Sequence, residues 1–84
     1  MSALYTVVRF DRYNVLDTEV VTVSANSLED AFTTGYTKIL QSLDDMDGDD
    51  IFVPIKDLKL QHDKAGIDFE EESWLVYPVM LYGK

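Results

Sequence analysis

The sequence predicts an α+β fold: a small antiparallel β-sheet with one amphipathic helix packed on one face, in the order β-β-α-β-β. Three observations carry that expectation. Two runs rich in β-branched residues open the chain, one long apolar stripe at helical spacing follows, and extended apolar segments fill the last third. A single domain spanning 1–84 is expected, because no linker or internal repeat divides the chain.

Residues 4–13 (LYTVVRFDRY) form the first β-rich run. Leu4, Thr6, Val8 and Phe10 share one parity; Tyr5, Val7, Arg9 and Asp11 share the other. Residues 18–25 (TEVVTVSA) form the second, with Val21, Val23 and Ala25 on one face. Asn14 and Asp17 bracket the short link between them, which predicts a hairpin. Ser27-Leu-Glu-Asp30 fits a capping box, with Asn26 and Glu29 as an equivalent frame shifted by one residue. From there Leu28, Ala31, Phe32, Tyr36, Ile39, Leu40 and Leu43 recur at steps of three and four, predicting a helix of about four to five turns that ends near Asp45. Gly35 interrupts the stripe, and on its buried edge a glycine permits close approach to a sheet.

After an acidic loop, Ile51–Ile55 and Leu58–Leu60 read as a third extended region, with Pro54 restricting its first part to an edge or a strand start. Lys64–Gly66 reads as a turn. Ile67 and Phe69 alternate with Asp68 and Glu70 as a half-buried strand or arm. Residues 74–82 (WLVYPVMLY) are apolar at both parities, as in a strand covered on both faces. One helix covers one face only, so a second apolar face is left over, with Leu75, Tyr77, Val79 and Leu81 on it and Tyr5 and Val7 as further candidates. A second copy, a partner, or residues 51–60 folding back are the available covers.

Sixteen acidic and seven basic residues give a formal charge of −9. That balance disfavours direct binding to nucleic acid or to anionic membranes, both of them polyanions. The chain has no cysteine, which excludes disulfides, thiolate zinc sites and a cysteine nucleophile. No apolar run approaches the roughly 20 residues of a membrane span, and MSALYTVVRF lacks the basic-then-apolar pattern of a signal peptide. A cytoplasmic protein is the expectation.

Catalytic chemistry is not legible. His62 is the single histidine; beside Asp63 it reads as an exposed polar loop, with no second histidine to complete a metal set. Gly35, Gly48, Gly66 and Gly83 are isolated, so no phosphate-cradling loop is present. Aligning Gly48 with the glycine of an EF-hand places Asp45, Asp47 and Asp49 at ligand positions but puts Leu43 first and Pro54 last, where acidic ligands are required. The expectation is a non-enzymatic protein with no cofactor and no dedicated metal site.

The acidic runs bear on partners instead. Asp44, Asp45, Asp47, Asp49 and Asp50 crowd one loop, and Glu70, Glu71 and Glu72 follow Asp68. Such runs solubilise a small protein, or they meet a basic surface. Were 67–72 extended, Asp68, Glu70 and Glu72 would line one face at about 6.5 to 7 Å intervals, comparable with the phosphate spacing along a nucleic-acid strand. Phe10, Phe32 and Tyr36 read as core. Tyr5, Trp74, Tyr77 and Tyr82 are harder to bury together, and Tyr5, Trp74 and Tyr77 join the candidate partner-binding residues as aromatic anchors.

The short hairpin, the strand entering a capped helix at VTVSANSLEDAF, the acidic loop DDMDGDD and the closing strand WLVYPVMLYGK together give a chain that resembles the small acidic anti-defence proteins of bacteriophages, the anti-CRISPR proteins among them. The resemblance implies a stoichiometric inhibitor that binds a nuclease or a guide-bound complex in place of DNA, in the host cytoplasm, with no catalytic residues. The alternative from the residues themselves is a small structural or assembly protein that forms a homodimer through its uncovered sheet face.

Overall fold

A computed structural model describes residues 3–14, 16–44, 51–62 and 64–79. The strands are β1 (Ala3–Asp11), β2 (Thr18–Ala25), β3 (Lys59–Gln61), β4 (Lys64–Asp68) and β5 (Glu72–Pro78), and the helix is α1 (Leu28–Asp44). They form one five-stranded sheet in the order β2-β1-β5-β4-β3, with every neighbouring pair antiparallel. The α+β architecture expected from the sequence is therefore present, with the last third divided into three strands where two were expected.

Local chemistry explains most boundaries. Asp11 Oδ1 accepts from the N–H groups of Tyr13 and Asn14, and Asn14 Oδ1 accepts from that of Leu16, so short polar side chains turn β1 into β2. At the helix start Ser27 Oγ accepts from the Asp30 N–H at 3.1 Å, while Asp30 Oδ2 accepts from the Asn26 N–H at 3.3 Å. This is the reciprocal cap read from the sequence, its acidic arm reaching one residue further back.

The register decides which residues lie beneath the helix. Val7 pairs with Val21 on one side and Val76 on the other, and Val76 pairs with Ala65. That row, together with Val23, Ile67 and Trp74, packs under Ala31, Phe32 and Ile39 to make the core. Trp74 is fully buried, edge-on to Phe32 at 6.1 Å and tilted against Tyr36 at 4.5 Å. Gly35 sits where α1 crosses β1: a Cβ there would lie 2.6 Å from Val7 Cβ, inside contact distance. Glycine lets the helix lie this close to the sheet.

The structure corrects four expectations. Tyr5 and Val7 face the helix, and it is Leu4, Val8 and Phe10 that share the open face, because pairing of Val7 with Val21 and Val76 fixes the parity. Phe10 is thus partly exposed rather than core. Residues 64–66 belong to β4; the reversal lies at His62, whose φ of 57° is the left-handed conformation a tight hairpin needs. Ile51–Ile55 is not a strand. Pro54 is buried, Ile55–Asp57 form one 3-10 turn, and Val53, Ile55 and Leu58 pack against the helix-side core, so this segment does not cover the open face. No described helix is long and apolar enough to cross a membrane.

The hydrogen-bond phase of the sheet leaves its two edges unlike. Val79 N–H donates to Leu4 O and Arg12 N–H to Glu71 O, so even-numbered residues of β1 bond toward β5 and odd-numbered ones toward β2. Carried across the register, Val20, Thr22 and Ser24 of β2 turn their backbone N–H and C=O groups outward. On the opposite edge Phe69 N–H donates to Glu72 O, which by the same counting leaves Leu60 alone in the three-residue β3 turned outward.

Candidate interaction surface

Glu72 begins β5 on the helix side and is committed to structure. Its Oε1 accepts from Arg9 Nε and Nη2, each at 2.9 Å, and its Oε2 accepts from Trp74 Nε1 at 2.7 Å. The buried indole N–H and the part-buried guanidinium are both satisfied by one carboxylate. Burial raises the Tyr36 phenol above its ordinary range, and the Glu72 charge adds to that rise.

Asp68 lies at the end of β4 on the opposite side of the sheet. Ser73 Oγ donates to its Oδ1 at 2.8 Å, and Arg12 Nη2 approaches the same oxygen at 3.3 Å. Residues 69–71 then turn into β5, closed by the Phe69 N–H to Glu72 O bond. Glu70 and Glu71 are exposed at the tip, and their carboxylates form no ion pair with a described residue. The expected row of Asp68, Glu70 and Glu72 is therefore broken. A tight hairpin reverses the chain between them and puts Asp68 and Glu72 on opposite faces, one beside Arg12 and the other beside Arg9.

The candidate aromatics separate in the same way. Trp74 is inside the core and closed to any partner. Tyr5 is half-buried against that core, and Tyr77 lies on the open face. Backbone is described for Asp44 at the helix end, but its side chain and Asp45, Asp47, Asp49 and Asp50 lie outside the described residues, as do Tyr82 and the acidic loop aligned with an EF-hand.

What the structure brings together instead is an apolar band on the sheet face away from α1. Val8 pairs with Val20 on one side and Leu75 on the other; Phe10 stands beside Ser73, and Leu4 and Tyr77 extend the band toward the far end. Exposure runs from 40% at Phe10 to 62% at Val20 among the large members, while Val8 at the centre is buried by its neighbours. Among described strand residues on this face, Lys59, Lys64 and Asp68 are the charged ones. That is sparse for a chain with 23 charged side chains. An apolar centre with charges at its rim is the composition of a docking surface. Leu75 and Tyr77 were legible from the two-sided run of β5; Leu4, Phe10 and Val20 were hidden until register fixed the parity of β1 and β2. No protein family, curated protein or solved structure matches this chain.

Proposed function

We propose that this chain is a non-enzymatic binding protein that occludes a basic, nucleic-acid-handling surface of a host or defence complex. The observation that carries the reading is the open sheet face: large apolar side chains that no described element covers, bordered by the acidic β4–β5 turn, in a chain of charge −9. Asp68, Glu70 and Glu71 speed encounter with a basic partner, and Phe10, Leu75 and Tyr77 supply the buried contact. Glu72 and Trp74 take no part, being used inside the protein. The acidic segment 44–50 adds to the attraction through its charge.

The experiment is a tagged pull-down from bacterial lysate at low and high salt, followed by competition with nucleic acid for the recovered partner. A basic nuclease or nucleic-acid-binding complex that is released by salt and displaced by DNA or RNA supports the reading. A partner indifferent to both, or recovery of this chain alone, rejects it. A copy of the chain stacked face to face on the same apolar band is the competing reading, favoured by the scarcity of charge there; it gives a dimer whose formation is lost in Leu75→Ser.

A further inference from the structure

We propose that the β2 edge pairs with the β2 edge of a second copy, antiparallel about a two-fold axis, to make one continuous ten-stranded sheet. This stands apart from the reading above, since it leaves Phe10, Leu75 and Tyr77, the contacts assigned there, free on the open sheet face.

Three observations support it. The first is the backbone: Val20, Thr22 and Ser24 present outward N–H and C=O groups along an eight-residue strand. That edge has neither proline nor lysine and one charged residue, Glu19 near its start, whereas the opposite edge is three residues long and carries Lys59. The second is symmetry. An antiparallel strand pairs with itself when a two-fold axis passes through it, so one surface supplies both halves of the contact.

The third is charge, which selects a second copy over a basic partner. A groove of about 170 Å³ runs between β2 and α1, lined by Glu19, Val20, Val21, Lys38, Ile39 and Ser42. One acid and one base flank its apolar residues, so the groove is neutral in a strongly acidic molecule. Two copies repel through most of their surface but not here, and a basic partner gains nothing from a neutral edge. Pairing would cover part of Val20, the most exposed of the large apolar residues in the described strands.

Sedimentation velocity from low micromolar to near-millimolar concentration, joined to amide hydrogen exchange by NMR, tests the pairing. The expected result is a monomer–dimer equilibrium in which the Val20, Thr22 and Ser24 amides gain protection as the dimer fills. Val20→Lys places like charges beside the axis and is expected to weaken the dimer about tenfold or more. Thr22→Pro removes an outward N–H and is expected to abolish it. Trp74 fluorescence reports whether each variant is folded; if the proline variant is not, the lysine variant decides. A monomer throughout the range overturns the proposal. So does a dimer that survives Val20→Lys or leaves those three amides exchanging as in the monomer.

Discussion

The carboxylate of Glu72 accepts the indole N–H of Trp74, two residues along the same side of β5, at 2.7 Å. Its other oxygen holds Arg9 on the neighbouring strand, so a surface acid, a core aromatic and a cross-strand cation form one unit. Removing the carboxylate leaves a buried donor unsatisfied. Glu72→Ala is expected to destabilise the fold by roughly 1–3 kcal/mol. Glu72→Gln, which keeps an acceptor for the indole, should cost less. Urea unfolding followed by Trp74 fluorescence measures both, and equal stability of wild type and Glu72→Ala would contradict the arrangement.

Gly35 and Val7 are matched in size. Gly35→Ala gains about 1 kcal/mol of helix propensity. It also drives a methyl into the Val7 side chain, and overpacking of this kind typically costs 1–3 kcal/mol. Net destabilisation is expected. Combining Gly35→Ala with Val7→Ala should then cost less than the sum of the two single changes, a coupling that a double-mutant cycle reads directly. Additive effects would place the helix further from the sheet than described.

Alkaline pH offers a separate probe. The Tyr36 phenol is held above its ordinary value by burial and by Glu72, so the folded state keeps its proton where the unfolded chain has lost it. Its contribution is complete below pH about 10, the unfolded value, and is lost as pH rises through the folded one. Wild type should therefore lose stability faster than Tyr36→Phe above pH about 10. Parallel stability curves for the two proteins would exclude the effect.

Binding should divide between rim and face. Glu70→Gln with Glu71→Gln alters exposed charges that pair with no described residue, so folding stability is expected to hold within about 0.5 kcal/mol. The association rate with a basic partner should fall severalfold and its salt dependence flatten. Tyr77→Ser should leave the association rate nearly unchanged and speed dissociation. Surface plasmon resonance at two salt concentrations separates these effects, and the reverse pattern would remove the assigned roles. Neutralising Glu72 in the same experiment would confuse binding with folding, given its hold on Arg9 and Trp74.

Local chemistry made much of this fold readable in advance. The first hairpin, the Ser27–Asp30 cap, the stripe of α1 and the close-packing glycine each depend on residues near one another in the chain, where spacing and side-chain type suffice. The surplus apolar face was legible too, because β5 is apolar at both parities and one helix covers one side. Its membership was not. Whether Val7 or Val8 faces the helix depends on pairing with Val21 and Val76, which alternation within β1 cannot decide when both parities carry valine. The 64–66 segment misled for a similar reason. Gly66 suggested a turn, yet it is a strand glycine against which Leu75 packs, while the reversal itself falls on His62 in a conformation glycine more often supplies. The acidic row failed because counting along an extended chain cannot foresee a reversal between Asp68 and Glu72.

The brevity of β3 has a consequence for how far association through sheet edges can go. Only Leu60 in that strand turns its backbone outward, too little for another strand to grip. In the language of polymer chemistry the proposed β2 pairing gives the sheet a functionality of one: a single reactive end and a terminated one. Units of that kind couple once and stop, so under that pairing raising the concentration would fill a dimer and carry association through the sheet edges no further.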